Sequence, residues 1–214
     1  MQDSRISDAV VNRLPRYYRY LSELEAAGVE RVSSSRMSED MNLNASQIRR
    51  DLNCFGGFGQ QGYGYQVSRL KQEIMKILGI GASYKAVIVG AGNIGQALLR
   101  YRHFGDEGYH IVGIFDNDPE LIGREVGNYR IRGMSELPQF LKENKVDIGI
   151  IAVPKRYAQQ VADDLVSMGV TGLWNFAPVD VEARRGISVV NVHLSDSLYI
   201  LSYRMRENRK NENN

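Results

Sequence analysis

A short, continuously apolar segment followed at once by a glycine-rich turn constrains the fold of this chain more than any other feature. Residues 86–89 are Ala, Val, Ile and Val, and Gly90-Ala91-Gly92-Asn93-Ile94-Gly95 comes directly after them. Such an apolar run is typical of a strand buried on both faces of a parallel sheet. The turn then opens a segment with helical spacing of its apolar residues. Strand, glycine turn and helix in this order predict the first unit of a doubly wound α/β fold.

Strands and helices continue to alternate after this unit, which predicts a parallel sheet with helices on both faces. Each predicted strand is short and apolar, and each predicted helix has apolar residues three or four positions apart. The predicted strands are residues 86–89, 110–115, 146–153, 172–174 and 187–191, and the predicted helices are residues 94–104, 135–143 and 157–168. We therefore expect a Rossmann-type doubly wound parallel sheet over residues 81–192.

The glycine turn has the spacing of a phosphate-binding turn in a dinucleotide site. Gly90 would permit the tight turn, Gly92 the close approach of a pyrophosphate, and Gly95 the packing of the helix on the strand. The free N–H groups and the positive dipole end of the helix would then bind the phosphates. The motif is weak in isolation, but here it has the strand before it and the helix after it that such a site requires.

Asp116 is expected to select the nucleotide, because it ends the next predicted strand about 20 residues after the last glycine. Its carboxylate would accept hydrogen bonds from the ribose hydroxyls and repel a 2′-phosphate, which favours NADH and NAD⁺ over NADPH and NADP⁺. The alternative interpretation is that Asp116 is only a turn residue within the segment Asp116-Asn117-Asp118-Pro119.

Two further loops follow predicted strands, at the sheet edge where open α/β sheets bind ligands. Apolar Val153, Phe176 and Pro178 in these loops would form a dry pocket for a nicotinamide ring, although Pro154 and Pro178 would equally suit the ends of strands. The predicted cofactor-binding residues are Gly90, Ala91, Gly92, Asn93, Ile94, Gly95, Asp116, Val153, Pro154, Asn175 and Phe176.

The N-terminal part of the chain carries a different pattern, a short basic helix after a turn. Asn44 is a suitable N-cap and Gln47 completes a capping-box pattern, so a helix should begin near residue 45. Ile48 and Leu52 would face the core. Arg and Gln can pair with guanine and adenine edges in the major groove, and Ser suits phosphate. The outward residues are Ser46, Gln47, Arg49 and Arg50, which indicate the second helix of a helix-turn-helix.

Glycines and aromatic residues alternate after this helix, as in a short twisted hairpin. Phe58, Gly59 and Tyr63 lie where the wing of a winged helix would contact DNA, and the tip is Gln60-Gln61. Because the tip is uncharged, we expect it to contact DNA through hydrogen bonds and shape. The alternative for the whole segment is an ordinary solvated helix followed by a flexible loop.

Further helices complete the predicted organisation. Residues 6–27 have helical spacing, which Pro15 should kink or split, and residues 33–41 and 67–78 have it too. We expect a winged-helix DNA-binding domain at residues 1–80, a NAD(H)-binding domain at 81–192, and a C-terminal dimerisation helix with a tail at 193–214. That helix carries an apolar face that should pack on a second subunit or on the chain's own core, formed by Leu198, Leu201 and Met205.

Composition excludes several classes of protein. The 43% hydrophobic and 24% charged content is that of a globular domain, and the net charge is only +2. The single cysteine, Cys54, excludes an internal disulfide and a multi-cysteine metal site, and we expect it to be a small buried hydrophobe. No apolar run approaches the length of a membrane span and no signal-peptide pattern is present, so the cytoplasm is the expected location and no membrane is expected as a partner.

Catalysis is not expected. A nicotinamide-dependent oxidoreductase needs an acid–base group, and of the three histidines only His193, with Asp196 nearby, could supply it. His103 and His110 are expected to be structural, and no part of the chain remains for a substrate domain. We predict a ligand-controlled DNA-binding protein with no metal site; an oxidoreductase and a module binding coenzyme A are the alternatives.

The chain resembles the redox-sensing transcriptional repressor Rex family over nearly its whole length. The matching segments are SQIRRDL at 46–52, FGGFG at 55–59, GYGY at 62–65, GAGNIG at 90–95 and NFAP at 175–178. The resemblance implies a homodimer with an exchanged C-terminal helix that binds palindromic operators and is released by NADH. It also implies a hydrogen-bonding relay between the two domains through Arg19 and Tyr101, in which His193 stands where some members have an aspartate.

Overall fold

The chain forms two compact units, Met1–Gly81 and Ala82–Asn214, in a computed structural model that describes residues 6–56, 59–60 and 63–212. We call them the N-terminal unit and the C-terminal unit. Together they give the predicted fold class, a winged helix-turn-helix followed by a doubly wound parallel sheet.

Helices and a small sheet make up the N-terminal unit. Its elements are α1 (Asp8–Val11), α2 (Leu14–Ala26), β1 (Arg31–Val32), α3 (Ser34–Met41), α4 (Ala45–Asn53), β2 (Gly59–Gln60), β3 (Gly64–Gln66) and α5 (Val67–Leu78). The helix predicted over residues 6–27 is split as expected, and Pro15 lies in the first turn of α2, where its missing N–H breaks no helical hydrogen bond. The two-residue strand β1 was not predicted.

The sheet of the N-terminal unit is antiparallel, with the order β1-β3-β2. Gly64 is required where β1 and β3 pair, because its φ is +69° and a Cβ atom there would lie 2.6 Å from the carbonyl oxygen of Val32. The buried side chains of the helices pack together beneath this sheet; the largest are Tyr17, Leu14, Leu21, Met37, Ile48, Leu52, Leu70 and Ile74.

The C-terminal unit is built on a seven-stranded sheet with the order β10-β9-β8-β4-β5-β7-β6. Its strands are β4 (Tyr84–Val89), β5 (Tyr109–Asp116), β6 (Glu125–Val126), β7 (Tyr129–Gly133), β8 (Ile148–Ile151), β9 (Gly172–Asn175) and β10 (Ser188–Asn191). All neighbours pair in parallel except β6 and β7. The sheet therefore has the predicted doubly wound form, with β4 and its glycine turn near the centre.

Residues 82–212 also form five helices. They are α6 (Asn93–Arg100), α7 (His103–Asp106), α8 (Leu137–Asn144), α9 (Lys155–Ser167) and α10 (Asp196–Glu212), and a 3₁₀ turn (Met134–Glu136) precedes α8. Side chains of α8 and α9 pack on one face of the sheet, and those of α6 and α7 pack on the other.

The sequence prediction of one helix over residues 94–104 was wrong, and one hairpin was missed. Tyr101 has an extended conformation (ψ 94°), which ends α6 and separates it from α7. The hairpin β6–β7 was not predicted because Arg130 and Arg132 interrupt the apolar pattern of β7. Yet β7 pairs in parallel with β5 and adds a strand to the sheet.

Apolar side chains of α10 and the thiol of Cys54 lie at the surface. The apolar side chains of α10 are exposed in the single chain: Leu198, Tyr199, Ile200, Leu201, Tyr203 and Met205. Cys54 is exposed as well and its thiol lies 3.3 Å from the carbonyl oxygen of Arg50, so the expectation of a buried cysteine was wrong. Among the described helices, none combines the length and the apolar character needed to cross a membrane.

Candidate nucleic-acid interface and cofactor site

The helix α4 begins as its sequence predicts. The side-chain oxygen of Asn44 accepts hydrogen bonds from the backbone N–H groups of Ser46 (2.8 Å) and Gln47 (3.3 Å). Among the described contacts, the Gln47 side chain does not return a bond to Asn44, so only half of the predicted capping box forms. Asn42 makes the turn from α3 in the left-handed conformation, with φ 51°.

The two faces of α4 separate apolar from polar residues. Ile48 and Leu52 are buried, whereas Ser46, Arg49 and Arg50 are exposed and Gln47 is half-buried. The outward set is therefore available to a partner, and its assignment to DNA stays a prediction.

Asp51 does not lie on the outward face of α4. It is 3% exposed, and its carboxylate accepts two hydrogen bonds from Arg13 (2.7 and 2.8 Å) and one from the Tyr17 hydroxyl (2.7 Å). Burial opposes ionisation of Asp51, but the hydrogen bonds from Arg13 and Tyr17 outweigh it and hold the pKa of the carboxyl below its ordinary value. The pair thus links α4 to the start of α2, and Arg13 neutralises the negative charge beside Arg49 and Arg50.

Arg49 is oriented by two hydroxyl groups. Its Nη1 donates to Ser34 Oγ (3.1 Å) and its Nη2 to Ser46 Oγ (2.9 Å). Both acceptors are neutral, so the guanidinium is held in place while its charge is left for a partner. Ser34 was missed by sequence reasoning, because it lies on α3 and only tertiary packing brings it to Arg49.

The predicted wing is described in part. Gly59 and Gln60 form β2, and Tyr63 is 70% exposed while Tyr65 is buried against the helices. Phe58 and Gln61 lie outside the described residues.

The glycine turn has the geometry that its sequence predicts. Gly90 has φ +104°, and a Cβ atom there would lie 2.4 Å from the carbonyl oxygen of Ala152. A Cβ atom on Gly95 would lie 1.9 Å from the carbonyl oxygen of Gly90, so α6 passes directly against the turn. A Cβ atom on Gly92 would meet nothing within 4 Å. Two glycines are therefore needed for packing, and the third faces open space.

Asp116 closes this turn from the end of β5. Its Oδ2 accepts the backbone N–H of Ala91 (2.6 Å), and its Oδ1 accepts that of Asp118 (2.9 Å). The second bond is the turn contact that was the alternative interpretation of Asp116, and the first joins it to the glycine turn. Each carboxylate oxygen has a further lone pair, so a ribose hydroxyl can still donate to it.

A cavity of about 560 Å³ opens where β4, β5 and β8 end. Its lining residues include five predicted cofactor residues, namely Gly90, Gly92, Asp116, Val153 and Pro154. Asn93 and Ile94 are exposed in the first turn of α6 beside it, and Ala91 is buried. The cavity thus combines a phosphate-type helix terminus with a carboxylate and an apolar wall.

Asn175 and Phe176, which were predicted to contact the cofactor from the loop after β9, do not line this cavity. Asn175 is fully buried; its amide donates to Val179 O (2.6 Å) and Asn191 Oδ1 (2.8 Å), and its oxygen accepts the Ala177 N–H (3.0 Å). Phe176 packs edge-on against Trp174, with ring centroids 4.6 Å apart. Asn175 therefore shapes the loop after β9 from inside, whereas its predicted contact with the cofactor stays untested.

Sequence reasoning missed Met134, Arg156 and Tyr157, which line the cavity. Arg156 and Tyr157 start α9 directly after the Val153-Pro154 loop, so their position at the carboxyl end of a strand was a usable signal. Met134 follows β7, and it was missed because that strand was missed.

The three predicted switch residues lie in different elements. Arg19 is exposed on α2, and Tyr101 is 53% exposed with its ring against Phe104 (centroids 4.7 Å apart). His193 Nε2 lies 2.8 Å from Asp180 Oδ1, so its carboxylate partner is Asp180 and not the expected Asp196. Within the described part of the chain, no group of three or more potential ligands could hold a metal ion.

Comparison with known families finds a match for each unit. Residues 5–53 match the family "Putative DNA-binding protein N-terminus", and residues 81–179 match "CoA binding domain". The second match corresponds to one alternative from the sequence, since the same glycine turn can seat other phosphate-bearing ligands.

Several relatives of similar length carry the same name. A "Redox-sensing transcriptional repressor Rex" from Clostridium botulinum (strain Eklund 17B / Type B) is 50% identical over 208 residues, which cover 97% of this chain and 99% of the relative. The crystal structure of RSP, a Rex-family repressor, is 44% identical with a TM-score of 0.90 and covers 99% of both chains.

RSP has also been solved with ligands. Its complex with NAD⁺ and operator DNA is 46% identical with a TM-score of 0.89 and covers 99% of this chain and 97% of RSP. Its complex with NADH is 43% identical with a TM-score of 0.89 and covers 99% of both chains.

Proposed function

The chain belongs to the redox-sensing transcriptional repressor Rex family, and from this premise we propose that it binds palindromic operator DNA as a homodimer and leaves it when NADH binds. It is a transcriptional regulator and not an enzyme, as its relatives are named repressors. The observation that carries the proposal is the match over 99% of this chain to RSP with NAD⁺ and operator DNA and to RSP with NADH. A protein with this role works where the chromosome is, in the cytoplasm.

The N-terminal unit supplies the DNA contacts in this proposal. Arg49 is oriented by neutral hydroxyls and Arg50 is exposed beside it, so both can reach base edges or phosphates in the major groove. Ser46 and Gln47 lie in the first turn of α4, where their side chains and the positive dipole end of the helix favour phosphate. Phe58, Gly59, Gln60, Gln61 and Tyr63 are the proposed wing contacts.

The C-terminal unit supplies the NADH site. The glycine turn and the start of α6 receive the pyrophosphate, and the ribose hydroxyls donate to Asp116, which also repels the 2′-phosphate of NADPH. The proposal is supported by Gly92 and Asp116, which line one cavity. The Asp116 carboxylate favours NADH over coenzyme A, because the ribose of coenzyme A carries a phosphate that the carboxylate would repel.

The repressor can respond differently to NADH and NAD⁺ only if the two nucleotides differ in their affinities for its DNA-binding and DNA-releasing states. A ligand that binds both states equally does not shift the equilibrium between them. The two nucleotides differ by a positive charge on the oxidised ring. Apolar Val153, Pro154 and Met134 in the cavity wall would penalise that charge by desolvation and favour neutral NADH. By reciprocity, NADH must bind the state that releases DNA more tightly than the state that binds it.

Dimerisation follows from the exposed apolar residues of α10. A cluster with Leu198, Leu201 and Met205 on a terminal helix is too apolar for water, so we assign it to a second copy of the chain, with two-fold symmetry that matches a palindrome. Light scattering of a chain truncated before Ser195 tests this, since the truncated protein should be monomeric. A dimer that still binds operator would refute the role of α10.

We assign Arg19, Tyr101 and His193 to the coupling between NADH binding and DNA release, and not to the binding of NADH itself. Tyr101 ends α6, whose first turn borders the cofactor cavity, so a shift of α6 on NADH binding would move it. We expect Tyr101→Phe to weaken DNA release by NADH more than NADH binding. Release that simply followed NADH affinity in the variant would make Tyr101 a binding residue only.

Titration of a labelled palindromic duplex tests the function as a whole. Fluorescence anisotropy should show specific binding by the protein alone or with NAD⁺, and loss of binding as NADH is added. Addition of NADPH or coenzyme A at the same concentrations is the control, and should release little DNA. Release by coenzyme A and not by NADH would reverse the assignment of the ligand.

A further inference from the structure

The sequence of the wing carries no charge between β2 and β3. Gln60 is followed by Gln, Gly and Tyr at residues 61–63, and none of these can neutralise a phosphate. Neutralised phosphates supply a large share of the affinity of DNA-binding proteins, and each needs a cationic group. If the wing lies along DNA, the neutralisation of a phosphate there has to come from a neighbouring element.

Arg31 in β1 is placed to supply this charge. Its side chain runs alongside the wing, where Nη1 donates to the backbone oxygen of Tyr63 (3.2 Å) and the guanidinium carbon lies 6.0 Å from the centre of the Tyr63 ring. Both side chains are exposed. The guanidinium has five N–H donors, so most of them stay available after the bond to Tyr63.

Within the described part of the chain, Arg31 has no ion-pair partner. Among the described residues, no carboxylate lies within ion-pair distance of it, whereas Arg13 pairs with Asp51 and Arg36 with Asp40. Arg31 thus resembles Arg49, because each is held by neutral acceptors and keeps its full charge. A guanidinium that is oriented but unpaired is suited to bind phosphate, with little side-chain entropy left to lose.

Arg31 also lies on the path from α4 to the wing. It lies three positions before Ser34, whose hydroxyl holds Arg49, and β1 pairs with β3 of the wing. Arg31 is therefore near in the chain to a residue that contacts α4, and its strand is paired with the wing.

We propose that Arg31, held against Tyr63, binds a backbone phosphate of the operator and serves as the electrostatic contact of the wing. This inference rests on the proposed DNA-binding function and adds a contact outside the recognition helix and the wing tip. Because a phosphate contact reads no base, Arg31 contributes to operator and random duplex equally.

Salt dependence of DNA binding by the full-length protein tests the proposal. Each neutralised phosphate contributes about 0.9 to the slope of log K against log salt, and a dimer carries two copies, so Arg31→Ala should reduce the slope by about 2. It should weaken binding to operator and random duplex alike, by at least about tenfold at low salt. Arg31→Lys should retain the slope, and Arg31→Gln, which keeps a polar side chain without the charge, should lose it.

A lysine of the C-terminal unit provides the control variant, and several results would refute the proposal. Lys142→Ala removes an exposed positive charge from α8 in the other unit and should leave the slope unchanged. An unchanged slope in Arg31→Ala would overturn the phosphate contact while leaving the repressor function intact. A loss confined to the operator, or one shared by Arg31→Lys, would show that Arg31 only shapes the wing. No binding of the unaltered protein to any duplex would overturn this inference together with the proposed function.

Discussion

Alanine substitutions at two glycines of the same turn should affect different properties of the protein. One should weaken phosphate binding and the other should disturb packing. Gly92 has φ −71°, a conformation open to any L-residue, and its added Cβ atom would meet nothing within 4 Å. Gly95 is buried, and its added Cβ atom would lie 1.9 Å from the carbonyl oxygen of Gly90. We expect Gly92→Ala to impair only the ligand and Gly95→Ala to impair the fold.

The magnitudes follow from these distances. Real Cβ atoms essentially never approach such neighbours closer than 3.0 Å, so Gly95→Ala must move α6 or the turn by about 1 Å, at a cost of about 1–3 kcal/mol of unfolding free energy. Gly92→Ala restricts the unfolded chain, which stabilises the fold, but it also places alanine at the N-cap of α6, where glycine is better. The two effects oppose each other, so the stability should change by less than about 1 kcal/mol. Its methyl group, however, would occupy the space proposed for the pyrophosphate, so NADH affinity should fall by at least about tenfold, or about 1.4 kcal/mol.

Urea unfolding and NADH titration calorimetry of both variants measure the two effects separately. The expected pattern is normal unfolding with weak NADH binding for Gly92→Ala, and lowered stability for Gly95→Ala. Unchanged NADH affinity in Gly92→Ala would refute the position assigned to the pyrophosphate. A loss of clearly more than about 1 kcal/mol of unfolding free energy in Gly92→Ala would instead refute the open space that the structure shows beside Gly92.

Three further predictions address the other parts of the molecule. Arg49→Ala should weaken operator binding by about 1–3 kcal/mol in anisotropy titrations, and an equal loss on random duplex would make Arg49 a phosphate contact. Asp116→Ala should lower NADH affinity and relax the exclusion of NADPH in calorimetry; unchanged discrimination would place Asp116 outside the site. The pKa of Asp51 is lowered in the folded state, so its stabilisation is complete above its ordinary pKa of about 4 and is lost as pH falls below that value. Urea unfolding of Asp51→Asn should therefore show less loss of stability between about pH 4 and pH 2 than the unaltered protein, and equal acid sensitivity would contradict the pairing with Arg13.

Local sequence patterns predicted the elements well wherever one period or one turn residue was sufficient. The cap at Asn44, the split of the first helix near Pro15 and the end of α5 at Leu78 all occur as expected. Failures occurred where the local pattern was mixed. Arginines in β7 concealed a strand, and apolar residues continuing past Arg100 concealed the break between α6 and α7.

The sequence brought several residues of the candidate cofactor cavity to notice because they belong to short motifs at strand ends. Gly90, Gly92 and Asp116 are drawn together by the parallel sheet itself, which places the ends of β4 and β5 side by side. Asn175 also follows a strand, but its amide is used inside the loop after β9. Position along the sequence therefore indicated the edge of the sheet and not the direction of each side chain.

The sequence by itself determined the two kinds of domain and the glycine turn, because helix periodicity, capping and close backbone approach depend on residues near one another in the chain. Only the tertiary structure decided which polar groups are paired. Asp51 meets Arg13 across 38 positions, Arg49 meets Ser34, and His193 meets Asp180 instead of Asp196. The physical reason is that a buried or oriented polar group takes its partner from whatever segment packing brings within hydrogen-bond distance, and packing is a property of the whole fold.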